Sequence, residues 1–205
     1  MPYPYPNAVI QVFCKAPLAG TVKTRLMPQL SAEQAADVHR RLALRTLELV
    51  CSAPLCPVQL WYAPTVDHPF FTEAAENYAL TLLAQSNGDL GQRMDAALSA
   101  GIKQFGQALL IGCDCPSLTR DDLVEALTAL TGRHDVVLAP AEDGGYCLIG
   151  LKQARPALFQ NIGWGSSEVL SRTRSKISAL ALRCHELQTQ WDVDNYTDYL
   201  RFLAQ

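Results

Sequence analysis

Ala108-Leu109-Leu110-Ile111-Gly112, running into Cys113-Asp114-Cys115-Pro116, is the stretch on which the fold turns. A short apolar run closed by a polar turn reads as a buried strand. A helix starts just beyond it at Thr119, with Leu123, Leu127 and Leu130 on one face. The same alternation repeats outward in both directions. Upstream, Val9 to Cys14 reads as a buried strand ahead of a Pro/Gly-containing loop. Ser31-Ala32-Glu33-Gln34 is a capping box for a helix whose apolar face includes Ala35, Val38, Leu42 and Leu49. Val58 to Tyr62 is a second strand and Ala79 to Leu83 a third, and Asp89 caps a helix carrying Leu90, Met94, Ala97 and Leu98. Downstream, Asp135 to Ala139 and Cys147 to Leu151 are strands. Ser166 or Ser167 caps a short helix, Leu180-Ala181-Leu182 is a late strand, and Asn195 opens a final helix. Strands alternating with helices predict an α/β chain with a mostly parallel central sheet of about six or seven strands, covered on both faces. No repeat, low-complexity tract or linker interrupts residues 1–205, so a single domain is expected.

The bulk properties narrow the partners. The formal net charge of the 205-residue chain is -3 and no Lys/Arg block is present, so no nucleic-acid partner is expected, while one small anionic ligand remains compatible. No apolar run approaches a membrane span. Met1-Pro2-Tyr3-Pro4-Tyr5-Pro6 lacks the basic-then-apolar order of a signal peptide, which predicts a cytoplasmic protein. The seven cysteines are odd in number and form no C-x-x-C pair, which fits reduced, unbridged thiols. Cys113 and Cys115 alone, with no second pair or histidine near them in sequence, are too little for a zinc site. His39, His68, His134 and His185 are scattered and read as structural or surface residues.

In parallel sheets ligands bind beyond the carboxyl ends of the strands, so the polar segments that follow strands are the ones to inspect. After the first comes Lys15-Ala16-Pro17-Leu18-Ala19-Gly20-Thr21-Val22-Lys23-Thr24-Arg25. It reads either as a solvated basic loop or as a phosphate holder. In the second case Gly20 permits close backbone approach and Lys15, Lys23 and Arg25 supply charge-assisted hydrogen bonds. It is not a Walker A loop. Asp114 is placed either to hold a hard cation or to cap a turn. Glu142-Asp143-Gly144-Gly145-Tyr146 is either an acidic turn or the lining of an acceptor pocket walled by Tyr146. Asp192 and Asp194 point the same way if extended, and either complete a metal site or cap the last helix. Trp164 is a loop anchor or a stacking platform.

Taken together, the basic loop from Phe13 to Arg25, Gly88 to Met94, Ile111 to Pro116, Pro140 to Tyr146, Trp164-Gly165 and Asp192-Val193-Asp194 resemble the DUF2064 family of cofactor-biosynthesis guanylyltransferase-like proteins. The similarity runs in consistent order from about residue 9 to residue 203. Resemblance implies membership of the nucleotide-diphospho-sugar transferase superfamily and a GT-A-like, Rossmann-like three-layer sandwich. It implies Mg2+ (or Mn2+) on Asp114, Asp192 and Asp194, and phosphate contacts from Lys23 and Arg25. It also implies a second substrate facing the Glu142 to Tyr146 turn. Cys113 stands where the family commonly has Thr, and Asn195-Tyr196 where it commonly has Thr-Pro.

The implied reaction joins a nucleoside triphosphate to a phosphorylated acceptor. The alternative is glycosyl transfer from a nucleotide sugar, with Glu142 or Asp143 as base. A non-catalytic nucleotide-binding module is the third reading.

Overall fold

The computed structural model describes residues 2–204. Seven strands form one sheet: β1 (Ala8–Lys15), β2 (Val58–Ala63), β3 (Thr81–Ala84), β4 (Gln107–Gly112), β5 (Val136–Pro140), β6 (Tyr146–Leu151) and β7 (Cys184–Glu186). Their order is β3-β2-β1-β4-β6-β5-β7. Every pairing is parallel except those of β6, which runs antiparallel between β4 and β5. The β5–β6 hairpin therefore turns at the carboxyl end of β5. It lies at the same sheet edge as the loops that leave β1, β3, β4 and β7.

Among the described residues six α-helices accompany the sheet: α1 (Ala32–Cys51), α2 (Pro69–Asn77), α3 (Leu90–Phe105), α4 (Arg120–Thr131), α5 (Val169–Ala179) and α6 (Tyr196–Leu203). Side-chain alternation along β1 divides the core. Ile10, Val12 and Cys14 pack with α1, α2 and α4 through Leu47, Phe71 and Leu127, among others. Val9 and Phe13 face α3 and α5 through Met94, Leu98 and Ile177. The result is three layers, helices on both faces of the sheet, as expected. Val38 and Leu42 of α1 also pack with Trp191 and Val193, which anchors the segment ahead of α6. No helix among the described residues is long and apolar enough to cross a membrane.

Two local expectations are corrected. The last strand is Cys184–Glu186, not Leu180 to Leu182. Leu180 and Leu182 belong to the turn that ends α5: their amides donate to Lys176 and Ile177 carbonyls, and Ala181 takes the left-handed conformation (φ 52°). Ser166 and Ser167 do not cap α5 either. Its preceding residue is Glu168, with no side-chain cap, and the Ser166 hydroxyl donates to the Gly163 carbonyl in a turn of its own. The capping box at Ser31 and the helix starts at Asp89, Thr119 and Asn195 form as read, and each of those three also closes a capping box.

Candidate active site

The strand-end loops enclose a cleft of about 590 Å³. Its charged end is built by three segments far apart in sequence. Lys23, in the left-handed conformation (φ 50°), turns its side chain inward, where it is only 6% exposed. Its Nζ lies 3.1 Å from Asp114 Oδ2 and donates to the Val193 carbonyl at 2.6 Å. The Val193 amide donates in turn to the Asp114 carbonyl at 3.0 Å. Arg25 pairs with Asp194 from a largely exposed position. Asp114, Asp192, Asp194, Lys15, Lys23 and Arg25 thus share one cleft, and Asp143 lines it from the β5–β6 turn.

The carboxylates differ in their electrostatics. Burial opposes ionisation of Asp114, but Lys23 and His39 overcome it and hold the carboxyl well below the usual range. Asp192 goes the other way. Burial, then the Asp143 charge, raise it to about 6, and Asp114 adds to the effect. An acid raised by neighbouring acids at a strand edge marks an excess of negative charge that a cation would balance.

The other end of the cleft is apolar. Tyr146 and Trp164 line it together with Leu90, Met94 and Val169. Trp164 reaches its place across Gly91: a Cβ there would lie 2.6 Å from Trp164 Nε1 and 2.8 Å from the Phe159 carbonyl. The Gly88-to-Met94 segment is therefore a seat for Trp164 as well as a helix start. Gly144 (φ 88°) is needed for a similar reason, since a Cβ would lie 2.2 Å from the Ser167 carbonyl oxygen. Gly145 lines the cleft, and its amide donates to Asp143 Oδ1 at 2.8 Å.

Three candidates are placed apart from the cleft lining, one of them Gly144, which packs against the Ser167 backbone. Glu142 turns outward and pairs with Arg201 at 3.0 Å, so of the two adjacent acids only Asp143 lines the cleft. Gly20 (φ 80°) shapes the basic loop without lining the cleft. Sequence reading also passed over residues that do line it. Arg93 enters from the first turn of α3, its guanidinium donating to Gln85 Oε1 at 3.1 Å. His39, read as structural or surface, is buried with Nδ1 3.7 Å from Asp114 Oδ1. Its position four residues beyond Ala35, on the inner face of α1, was the available signal.

A family model described as "Uncharacterized protein conserved in bacteria (DUF2064)" matches residues 46–166. The chain belongs to the DUF2064 family. The match spans the Asp114 loop, the Asp143 turn and Trp164. Among solved structures, a protein of Desulfovibrio desulfuricans G20 assigned as a nucleotide-diphospho-sugar transferase is 29% identical. That likeness has a TM-score of 0.85 and covers 93% of this chain and 83% of that one. CMP:2-keto-3-deoxy-manno-octonic acid synthetase complexed with CTP is 10% identical, with a TM-score of 0.59 and coverage of 96% and 97%. Rv0371C of Mycobacterium tuberculosis H37Rv, solved with manganese, is 13% identical, with a TM-score of 0.57 and coverage of 96% and 98%. The last two share the fold with this DUF2064 chain. A search of curated proteins gave no match.

Proposed function

We propose that the protein is a metal-dependent nucleotidyltransferase that joins a nucleoside triphosphate to a phosphorylated small-molecule acceptor. It would act as a single domain in the cytoplasm, where its unbridged thiols stay reduced. The observation that carries this reading is the meeting of Asp114, Asp192 and Asp194 with Lys23 and Arg25 at one strand edge. Carboxylate oxygens fit a hard cation such as Mg2+ or Mn2+, and the raised Asp192 is the acid such an ion would balance. When bound, the ion neutralises charge on phosphate oxygens. Fold relatives solved with CTP and with manganese support the same reading.

The chain's own residues supply the rest. Lys23 fixes Asp114 and the Val193 backbone and, with Arg25 and Lys15, offers positive charge to the triphosphate. Gly20 keeps the basic loop's turn. An oxygen of the acceptor phosphate attacks the α-phosphorus and forms a new P–O bond. The bond from that phosphorus to the bridging oxygen breaks, and pyrophosphate leaves with the electron pair. An ionised phosphate nucleophile has no proton to surrender, so no strong base is required. Tyr146 and Trp164, the latter seated across Gly91, form the acceptor end, and Gly144 and Gly145 shape the turn that leads to it.

Glycosyl transfer from a nucleotide sugar is the second reading. It is favoured by the assignment of the Desulfovibrio relative and by Asp143, which faces the cleft as a base for an acceptor hydroxyl. The deciding experiment supplies nucleoside triphosphates or nucleotide sugars, with Mg2+ or Mn2+, against a panel of phosphorylated and hydroxylic acceptors. Pyrophosphate release supports nucleotidyl transfer, and nucleoside diphosphate release supports the second reading. Tight nucleotide binding without either product would make the protein a binding module.

A further inference from the structure

Apart from the carboxylates, the cleft wall carries a second set of metal-ligating groups. β1 and β4 are adjacent and parallel, with Phe13 opposite Gly112, so the residues that follow, Cys14 and Cys113, emerge side by side. Both lie on the face covered by α1, and α1 presents His39 there. One ligand atom from each of Cys14, His39 and Cys113 lies within 4.8 Å of the other two. Cys14 Sγ is 4.0 Å from His39 Nε2. The three residues are 2%, 4% and 4% exposed, yet all border the cleft, which gives an ion a way in. The sequence shows one isolated C-x-C. The fold replaces Cys115 with a thiol and an imidazole from distant segments.

We infer that Cys14, His39 and Cys113 form a binding site for a thiophilic divalent cation of the zinc class, distinct from the carboxylate site at Asp114, Asp192 and Asp194. Two thiolates and one neutral imidazole cancel the charge of a divalent ion, which suits a buried position. Sulfur and imidazole select such an ion over Mg2+. As it loads, the two thiol protons and any proton on Nε2 pass to solvent, and Nε2 exchanges its contact with the Lys15 carbonyl, now 3.0 Å, for the metal. The opposite ring nitrogen, Nδ1, already faces Asp114 at 3.7 Å. This is the carboxylate–histidine–metal arrangement that orients a ligating imidazole. The fourth position opens on the cleft, to water or a substrate atom. Asp114 would then serve both sites, as ligand in one and as orienting group in the other. This inference does not depend on which nucleotide reaction the cleft performs.

The test is titration of the reduced, full-length protein with Co2+ in the absence of nucleotide. One equivalent is expected to produce thiolate-to-cobalt charge transfer and the intense visible bands of four-coordinate cobalt. Zn2+ should displace it stoichiometrically, and a large excess of Mg2+ should not. Cys14→Ser and Cys113→Ser are each expected to abolish the charge-transfer band. Cys147→Ser, at another thiol that lines the cleft, is expected to leave it intact. Cys14→Ala and Cys113→Ala serve if a serine variant fails to fold. Absence of the band in the wild type overturns the inference. So does a band that survives loss of Cys14 or Cys113, or one that disappears with Cys147.

Discussion

Asp114, at the end of β4, and Asp192, in the segment after β7, sit in the same cleft and are tied through the Val193–Asp114 backbone hydrogen bond, yet they are held in opposite ways. Asp114 has a buried lysine and a histidine against it and is kept ionised although it is half withdrawn from water. Asp192 has burial and two other acids against it and is raised to about 6. The first carboxylate is stabilised by the fold and the second is strained by it. Proteins tolerate such strain where a ligand relieves it. The contrast explains why two chemically identical residues at one site should respond differently to mutation.

The largest effect is expected for Asp114→Asn. The metal-dependent stabilisation by nucleotide should vanish, and turnover should fall by at least about a hundredfold, the scale of removing one strong electrostatic contact. The free protein should also lose about 1–2 kcal/mol, because Lys23 stays buried without its counter-charge while Asp114 itself is half exposed. Thermal melting with and without Mg2+ plus nucleotide separates the two losses. A wild-type ligand response would remove Asp114 from the metal site.

Gly91→Ala comes next, with overpacking against Trp164 expected to cost about 1–3 kcal/mol in denaturant unfolding. Activity on good acceptors should fall while nucleotide binding persists. Equal loss of both would mean that the two ends of the cleft are not separable.

Asp192→Asn sharpens the comparison by its sign. Because the folded-state value of Asp192 lies above its ordinary one, the native state binds more protons than the unfolded chain between about pH 4 and 6. Its contribution to stability is therefore present at the acid end of that window and lost as pH rises through it. Asp114, with its value lowered, contributes stability above its ordinary value and loses it as pH falls below. Asp192→Asn should accordingly stabilise the metal-free protein above pH 6 by about 1 kcal/mol, after discounting for solvent, while weakening its response to Mg2+ or Mn2+. Destabilisation at neutral pH would end the account of Asp192 as a strained ligand.

The smallest effect is expected at Glu142. Its partner Arg201 is on the surface, so Glu142→Gln should change stability by less than about 1 kcal/mol and leave activity within about twofold. Asp143→Asn should alter activity measurably. The reverse ranking would place the outward acid in the reaction.

Most of the architecture was legible from apolar runs and caps. Strands such as Ala108 to Gly112 are buried on both faces and read as continuous apolar runs closed by polar turns. Leu180-Ala181-Leu182 misled because apolar residues that close a helix against the sheet carry the same short pattern as a strand. The left-handed Ala181 that separates the two cases leaves no mark in composition. At the site, the strand-end rule brought Lys23, Arg25, Asp114, Asp143, Asp192 and Asp194 to one edge. It did not reveal which way adjacent side chains turn, as Glu142 and Asp143 do in opposite directions. Nor did it reach His39, which comes to the cleft from the middle of a helix rather than from a strand end.

The Lys23 side chain and the Val193 carbonyl are 170 residues apart in the chain. Contacts of such separation are entropically costly to form early, because a long loop must close before they are gained. The β1–β4 framework can assemble from nearer neighbours, whereas the charged end of the cleft waits for the C-terminal segment to dock against α1. A chain in which that segment had not docked would leave Lys23 and Asp114 without the backbone that locks them. Nucleotide binding would then report that the segment is in place.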